Sequence, residues 1–535
     1  MEEKAIELIE EVVNELKDLS REASLAYFDA SISGDAKDYQ RASELQLEVE
    51  KIFTDKEKFK TLSELKNSKE ISDEIIKRQI EILYNSFAEK QIDEKLLTEI
   101  INRSTEIEKK FATYRAEVDG EKLTDNQIDE ILKTSTDGER LRKTWEASKK
   151  IGEEIASDVL ELVKLRNKSA KDLGFDNYHE MSLKLSEQDP EELDRLFDEL
   201  DNLTAAAFKK RKEEIDDFLA ERYGIGKEEL APWHYQDKFF QQGPKIYDVD
   251  LDSIFAKQDL EELTKKYYAS VNLDVSDLME KSDLYEKEGK YQHAYCTAID
   301  REGDVRVLCN IKPNQQWMST MLHEFGHAAY DKYVSPKLPW LLRSHAHIFA
   351  TEAIAMLFGR MALNVNWLRE MELIDESQYS ELKTPLEKSL QTEQLVFSRW
   401  VQTVYRFERE MYRNPEQDLN SLWWNLVEKY QGLKKPDGRN KPDWAAKIHI
   451  ALYPAYYHNY ILGELLASQL YYYVKDKVLK TEKDSPGFVG EKNAGEYLKN
   501  LFLSYGAVFK WDKLIKSATG EELTPVYYAK QFVGE

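Results

Sequence analysis

Met321-Leu322-His323-Glu324-Phe325-Gly326-His327-Ala328-Ala329-Tyr330 is the stretch from which the rest of the chain is best read. Its two histidines stand four apart. On a helix that spacing stacks both imidazoles on one face, within reach of a single metal ion. Glu324 lies about 100° further round the helix, where it addresses a water on the metal and not the metal itself. A third ligand is needed, and Glu352 is placed to supply it, 25 residues beyond His327 at the head of the apolar run Ala353–Phe358. A carboxylate on the buried side of such a run requires a partner, and a cation is the natural one. Two His and one Glu leave the fourth tetrahedral position open, the mark of a catalytic and not a structural zinc site. One Zn2+ per chain is therefore expected, on His323, His327 and Glu352. His345 and His347 lie between the two motifs, but their i,i+2 spacing does not bring both onto one helical face, so they read as lining or supporting residues.

Outward from this centre the pattern is helical. From Glu2 to about Ala170, apolar residues recur at three and four: Ile6, Ile9, Val13 and Leu16, then Leu96, Ile100, Ile101 and Ile107. Pro is absent before Pro190, so these helices meet few breakers. The charged stretch 56–70 reads as an exposed turn region. Cap and turn signals at Thr124-Asp125 and Thr136-Asp137-Gly138 place a boundary between an N-terminal helical layer, 1–125, and a catalytic body, 126–535. Further helices are expected at 162–172, 190–203 and 208–223, with Pro190 in a first turn after the N-cap Asp189. The clearest strand signal is a hairpin in which 292–299 and 305–309 flank the loop Asp300-Arg301-Glu302-Gly303-Asp304. A breaker-rich loop spans 434–442. There is no internal repeat. The fold class expected is mainly α, with one small hairpin beside the metal site.

Composition narrows the partners. Lys+Arg 76 against Asp+Glu 101 gives a formal charge of −25, and an acidic surface argues against nucleic acid and anionic membranes. Two cysteines cannot staple 535 residues; Cys296 and Cys309 sit about the hairpin turn as a pair expected to be reduced. The N-terminus carries charges of both signs and no apolar run, and no window of 18 uncharged apolar residues exists, so a cytoplasmic protein is expected. Gly224-Ile225-Gly226-Lys227 lacks the spacing and the Ser/Thr of a phosphate loop.

Seven of the nine histidines fall between His293 and His458. The last of their segments, 447–460, holds His449, His458 and four tyrosines. Phenols and an imidazole are suited to donate to the oxyanion formed when hydroxide attacks a peptide carbonyl.

With these residues in hand, the chain resembles the angiotensin-converting-enzyme (peptidyl-dipeptidase A) family over nearly its whole length. His323-Glu324-Phe325-Gly326-His327 and Glu352-Ala353-Ile354 look like its two zinc motifs. Trp423-Trp424, Lys429-Tyr430-Gln431-Gly432-Leu433 and Lys447-Ile448-His449 are similar to a stretch particular to it, as are Trp145-Glu146 and Asp194-Arg195-Leu196-Phe197-Asp198-Glu199-Leu200. The resemblance implies a helical ellipsoid with a deep groove lidded by N-terminal helices, zinc of the gluzincin type, and release of C-terminal dipeptides from short peptides. It implies Glu324 as general base and acid, with His449 and Tyr460 stabilising the tetrahedral intermediate. Lys447 and Tyr457 would hold the substrate carboxylate, and His293 and Ala294 its backbone. A third carboxylate-binding group, a Gln in the family, falls at Tyr235 or Gln236.

There are departures. Met356 stands where the family has an Asp supporting a zinc-binding His, which turns attention to Asp331. Val427 and Asn459 stand where the family's chloride-binding arginines would be, so little chloride dependence is expected. The Tyr-Tyr-x-x-Tyr pattern at 456–460 also resembles thimet-type oligopeptidases and oligoendopeptidases, which keeps an endo-acting oligopeptidase as the alternative. A non-catalytic groove-binding homologue is the third reading.

Overall fold

The computed structural model describes residues 1–247 and 249–533; Asp248, Gly534 and Glu535, the last two closing the expected body 126–535, lie outside the described residues. Helices carry the chain, and the described residues form two antiparallel sheets of two strands each. There are two compact units, each assembled from separated stretches. The first comprises Met1–Gln91, Val249–Glu387 and Leu462–Tyr527; the second comprises Ile92–Asp248, Lys388–Ile461 and Tyr528–Glu535.

In the first unit, helices Glu2–Ser33 and Ala36–Ile52 form a hairpin. Gly34 ends the first at φ 68°, and a side chain there would put Cβ 2.1 Å from the carbonyl oxygen of Gly289. Asp35 then caps the second, accepting from the Lys37 N–H. The buried stripe of the first helix is Ala5, Leu8, Ile9, Val12 and Leu16, packed with Leu62, Leu65, Leu83 and Phe87. Ile6, expected inside, is 40% exposed. Ile9 and Leu16 belong to both possible stripes, and the packing partner selects the one through Ala5 and Val12. The region 56–70 is not a turn: Lys56–Lys66 is helical, capped by Asp55, and buries Leu62 and Leu65 while its charges face water. The expected hairpin is present as strands Tyr295–Ala298 and Val305–Leu308. Its register sets Cys296 opposite Val307, so Cys309 does not face Cys296, and both are free thiols.

The second unit holds a hairpin that the sequence reading passed over, Ala116–Val118 with Glu121–Leu123. Three-residue strands are too short to show alternation; the signal was the turn, Asp119-Gly120, both at positive φ. The cap signals at 124 and 137 hold: Thr124 and Gln127 form a capping box for Asp125–Thr134, and Asp137 caps Gly138–Asp172. Pro190 sits at the start of a helix capped by Asp189. That helix runs unbroken to Tyr223, where two had been expected, because Thr204-Ala205-Ala206-Ala207 contains nothing to stop it.

Candidate metal centre

Helix Gln315–Tyr333 starts at Asn314, whose side chain accepts from the Trp317 N–H. It presents His323 and His327 one turn apart, with ring centroids 4.9 Å apart and planes crossing at 82°. Helix Ile348–Gly359 is capped by His347, which accepts from the Phe349 N–H at 3.3 Å. This helix brings in Glu352, whose Oε2 lies 3.6 Å from His323 Nε2 and 3.8 Å from His327 Nε2. The donor atoms of the three residues all fall within 4.8 Å of one another. Ligand atoms bonded at about 2.1 Å around a tetrahedral zinc are separated by about 3.4 Å. The donor set fits that ion in type and in spacing.

Three glycines let the backbones approach this closely. A Cβ on Gly326 would lie 2.7 Å from Ala355 Cα; one on Gly359, 3.1 Å from His323 Cβ; one on Gly463, 3.0 Å from Glu352 Cβ. Burial then sets the charges. It pushes His323 down to about 4 and His327 well below its ordinary range, leaving neutral imidazoles with lone pairs for a metal. Burial, with Glu464 nearby, pushes Glu352 up to about 7; burial, with Glu352 nearby, pushes Glu324 up to about 8. A divalent cation reverses both pushes on the carboxylates. Glu464 is itself bonded to Arg360, which also donates to Ser468 Oγ at 3.2 Å.

His327 Nδ1 lies 2.7 Å from Thr351 Oγ1. Because Nε2 faces the ligand cluster, the ring proton belongs on Nδ1 and is donated to the threonine. Asp331, considered for this support, does not give it: among the described residues no zinc-site histidine bonds to it. It is partly buried, and desolvation pushes it up to about 7 against the charge of its neighbour Arg301. Thr351 was legible only as the residue before Glu352. His345 is partly buried beside the Tyr330 ring, and desolvation pushes it down to about 4. His293 and Ala294 directly precede strand Tyr295–Ala298, and His293 is exposed. The partner strand is bridged on its far side to Asp283, so Tyr295–Ala298 is the edge strand among the described residues.

In the second unit, Lys447, His449, Tyr457 and Tyr460 gather around the Tyr457 ring. Lys447 Nζ lies 5.3 Å from its centroid, the His449 ring 5.0 Å and the Tyr460 ring 5.3 Å. The Tyr457 hydroxyl accepts from Trp400 Nε1 at 2.9 Å. Lys447 donates to Gln241 Oε1 at 2.7 Å, and burial lowers its ammonium to about 8. Burial, then the charge of Lys447, lowers His449 to about 4. The glutamine beside Lys447 is therefore Gln241, and neither Tyr235 nor Gln236. Tyr235 is spent on Asp216 and Lys212, at 2.8 Å each. A chain separation of 206 residues left no local signal for Gln241.

Two family models match the chain: Angiotensin-converting enzyme over residues 1–214, and Peptidase family M3 over residues 131–533. Angiotensin-converting enzyme of Theromyzon tessulatum is 21% identical over 431 residues, which cover 74% of this chain and 69% of that protein. The angiotensin-converting enzyme-like protein Ace3 of Mus musculus is 24% identical, over 77% of this chain and 60% of its own length. An inactive angiotensin-converting enzyme-related protein of Caenorhabditis elegans is 23% identical over 36% of this chain and 22% of its own. The resemblance read from the motifs is borne out.

Proposed function

We propose, from the premise that this chain belongs to peptidase family M3, whose model spans about three quarters of it, that it is a zinc-dependent peptidyl-dipeptidase releasing C-terminal dipeptides from short peptides. The observation that carries the reading is the His323–His327–Glu352 donor set with Glu324 on the same helix. Zinc held there supplies a Lewis acid for the scissile carbonyl and acidifies water. Glu324 takes the proton of the attacking water and passes it to the leaving amine. His449 and Tyr460 are assigned to donate to the oxyanion, and Lys447, Tyr457 and Gln241 to hold the free carboxylate. His293 and Ala294, at the head of an edge strand, suit backbone pairing with an extended peptide.

The M3 match and the tyrosine pattern at 456–460 favour a second reading, an endo-acting oligopeptidase. A non-catalytic role is suggested by the inactive relative, and the intact ligand set with Glu324 speaks against it. Residues 1–125 as a covering layer over a body 126–535, one zinc per chain, and a cytoplasmic place belong to the same proposal. Among the described residues no helix is long and apolar enough to cross a membrane.

Mass spectrometry of an unblocked decapeptide and its C-terminal amide tests the proposal. Successive loss of dipeptides from the free acid alone is expected. Equal cleavage of both would establish the endo-acting reading, and a metal-free chain that cleaves neither would establish the binder.

A further inference from the structure

The second unit contains a cavity of about 600 Å³ whose lining includes Lys447, Gln241, Ser148 and Lys149. Lys149 is 2% exposed. Its Nζ lies 3.0 Å from the Phe239 ring centre, and Lys447 Nζ lies 5.8 Å from that same centre. No more than about 9 Å can separate the two amines.

The other charges of the cavity are engaged or exposed. Lys238 bridges Asp125 at 2.7 Å and Asp129 at 3.2 Å. Asp237 accepts from the N–H groups of Phe239 and Gln241. Arg115 donates to backbone carbonyls; Glu108 and Lys133 are exposed. Asp443, near Lys149, is held by Arg439 at 2.6 Å. Among the described residues neither Lys149 nor Lys447 has a carboxylate partner. A buried ammonium with aromatic rings against it and only the more distant charges of Asp443 and Asp237 to balance it is costly, and burial depresses Lys149 well below its ordinary range. An anion entering the cavity relieves that cost.

We infer that Lys149 is a specificity-determining residue that pairs with the side-chain carboxylate of a peptide ending in Asp or Glu, while Lys447 holds the α-carboxylate of the same residue. This rests on the reading of Lys447 given above. The two carboxyl carbons of a C-terminal glutamate are about 5 Å apart, and a charge-assisted hydrogen bond adds about 2.8 Å at each end. The bound on the amine separation is shorter than that fully extended span, so the glutamate reaches both amines with its side chain bent. The volume admits a residue pair, and the ring of Phe239 neighbours both amines.

Matched quenched peptides ending in Glu or Gln test the inference on the zinc-loaded chain. The Glu-ended peptide is expected to lead in kcat/KM by about ten- to a hundredfold, carried by KM. In Lys149→Met the ratio should fall toward one, and in Lys149→Arg it should persist. A wild-type ratio near one, with the Gln-ended peptide cleaved and its amide resistant, would overturn this inference and leave the dipeptidase reading standing. If no peptide is cleaved, that reading fails, and calorimetry with acetylated dipeptides ending in Glu or Gln still decides: equal affinities would sink the role of Lys149. A free dicarboxylate offers the same two charges. Glutarate binding more tightly than the Glu-ended dipeptide would assign the cavity to a small acid and overturn the substrate role.

Discussion

Thr351 Oγ1 receives the Nδ1 proton of His327 at 2.7 Å, and the next residue in its helix is Glu352. One turn of helix Ile348–Gly359 therefore supplies one of the proposed metal ligands and orients another. Removing the threonine hydroxyl leaves the His327 ring free to turn and its tautomer unset. Thr351→Val is expected to weaken zinc binding about 10- to 100-fold, and Thr351→Ser to restore most of it. Competition titration against a zinc chelator reads both. Wild-type affinity in the valine variant would show that the imidazole is held by packing alone.

Glu324 and Glu352 should separate cleanly. Glu324→Gln keeps the shape of the side chain but cannot accept a proton, so turnover should fall by about 10²–10⁴-fold with metal content intact. Glu352→Ala deletes a ligand and should lower metal occupancy. Elemental analysis beside single-turnover rates checks the pair; zinc loss in the Glu324 variant would mean its role is misassigned.

If Lys447 holds the substrate carboxylate as proposed, binding of that end should depend on pH. Burial lowers its ammonium to about 8, so the charge is present below that value and is lost as pH rises through it. KM for a free-acid peptide should climb above about pH 8, while the inhibition constant of the amidated peptide, which does not use the charge, should not follow. Parallel pH profiles for the two peptides would remove Lys447 from carboxylate binding.

Gly326 is where a single methyl group should be felt. Its Cβ would meet Ala355 Cα at 2.7 Å, backbone against backbone, so helices Gln315–Tyr333 and Ile348–Gly359 must part. Gly326→Ala is expected to cost about 1–3 kcal/mol and to loosen the ligand set. Thermal unfolding of the metal-free chain measures the first effect and zinc titration the second. An unchanged melting temperature would show that the helices separate without penalty.

Chloride should matter little. Val427 is buried and uncharged, and Asn459 accepts from Gln188 Nε2 at 2.8 Å, while Gln188 Oε1 lies 2.7 Å from His458 Nε2. A neutral amide network thus fills the place where a cation would hold an anion, and an anion buried there would not recover its hydration. Rates at pH 8 in chloride and in acetate, at matched ionic strength, should agree. Saturable activation by chloride alone would show an anion site on other residues. Matching the ionic strength matters because a chain of −25 formal charge responds to screening.

What was legible beforehand was whatever lies within a turn or two of itself. The i,i+4 histidines, the caps at Thr124, Asp137 and Asp189, and the carboxylate heading an apolar run follow from helix geometry, which relates each residue only to neighbours three or four away. The tertiary structure decided which distant backbones meet. It chose Val12 over Ile6 for the core, Thr351 over Asp331 for His327, and Gln241 over Tyr235 or Gln236 for Lys447. It also gave Gly326 its purpose, since a glycine in a helix reads as a weakness until another backbone is found 2.7 Å from its missing Cβ. Periodicity encodes the face that a segment must bury. The partner it is buried against depends on packing between segments hundreds of residues apart, and no local pattern carries that.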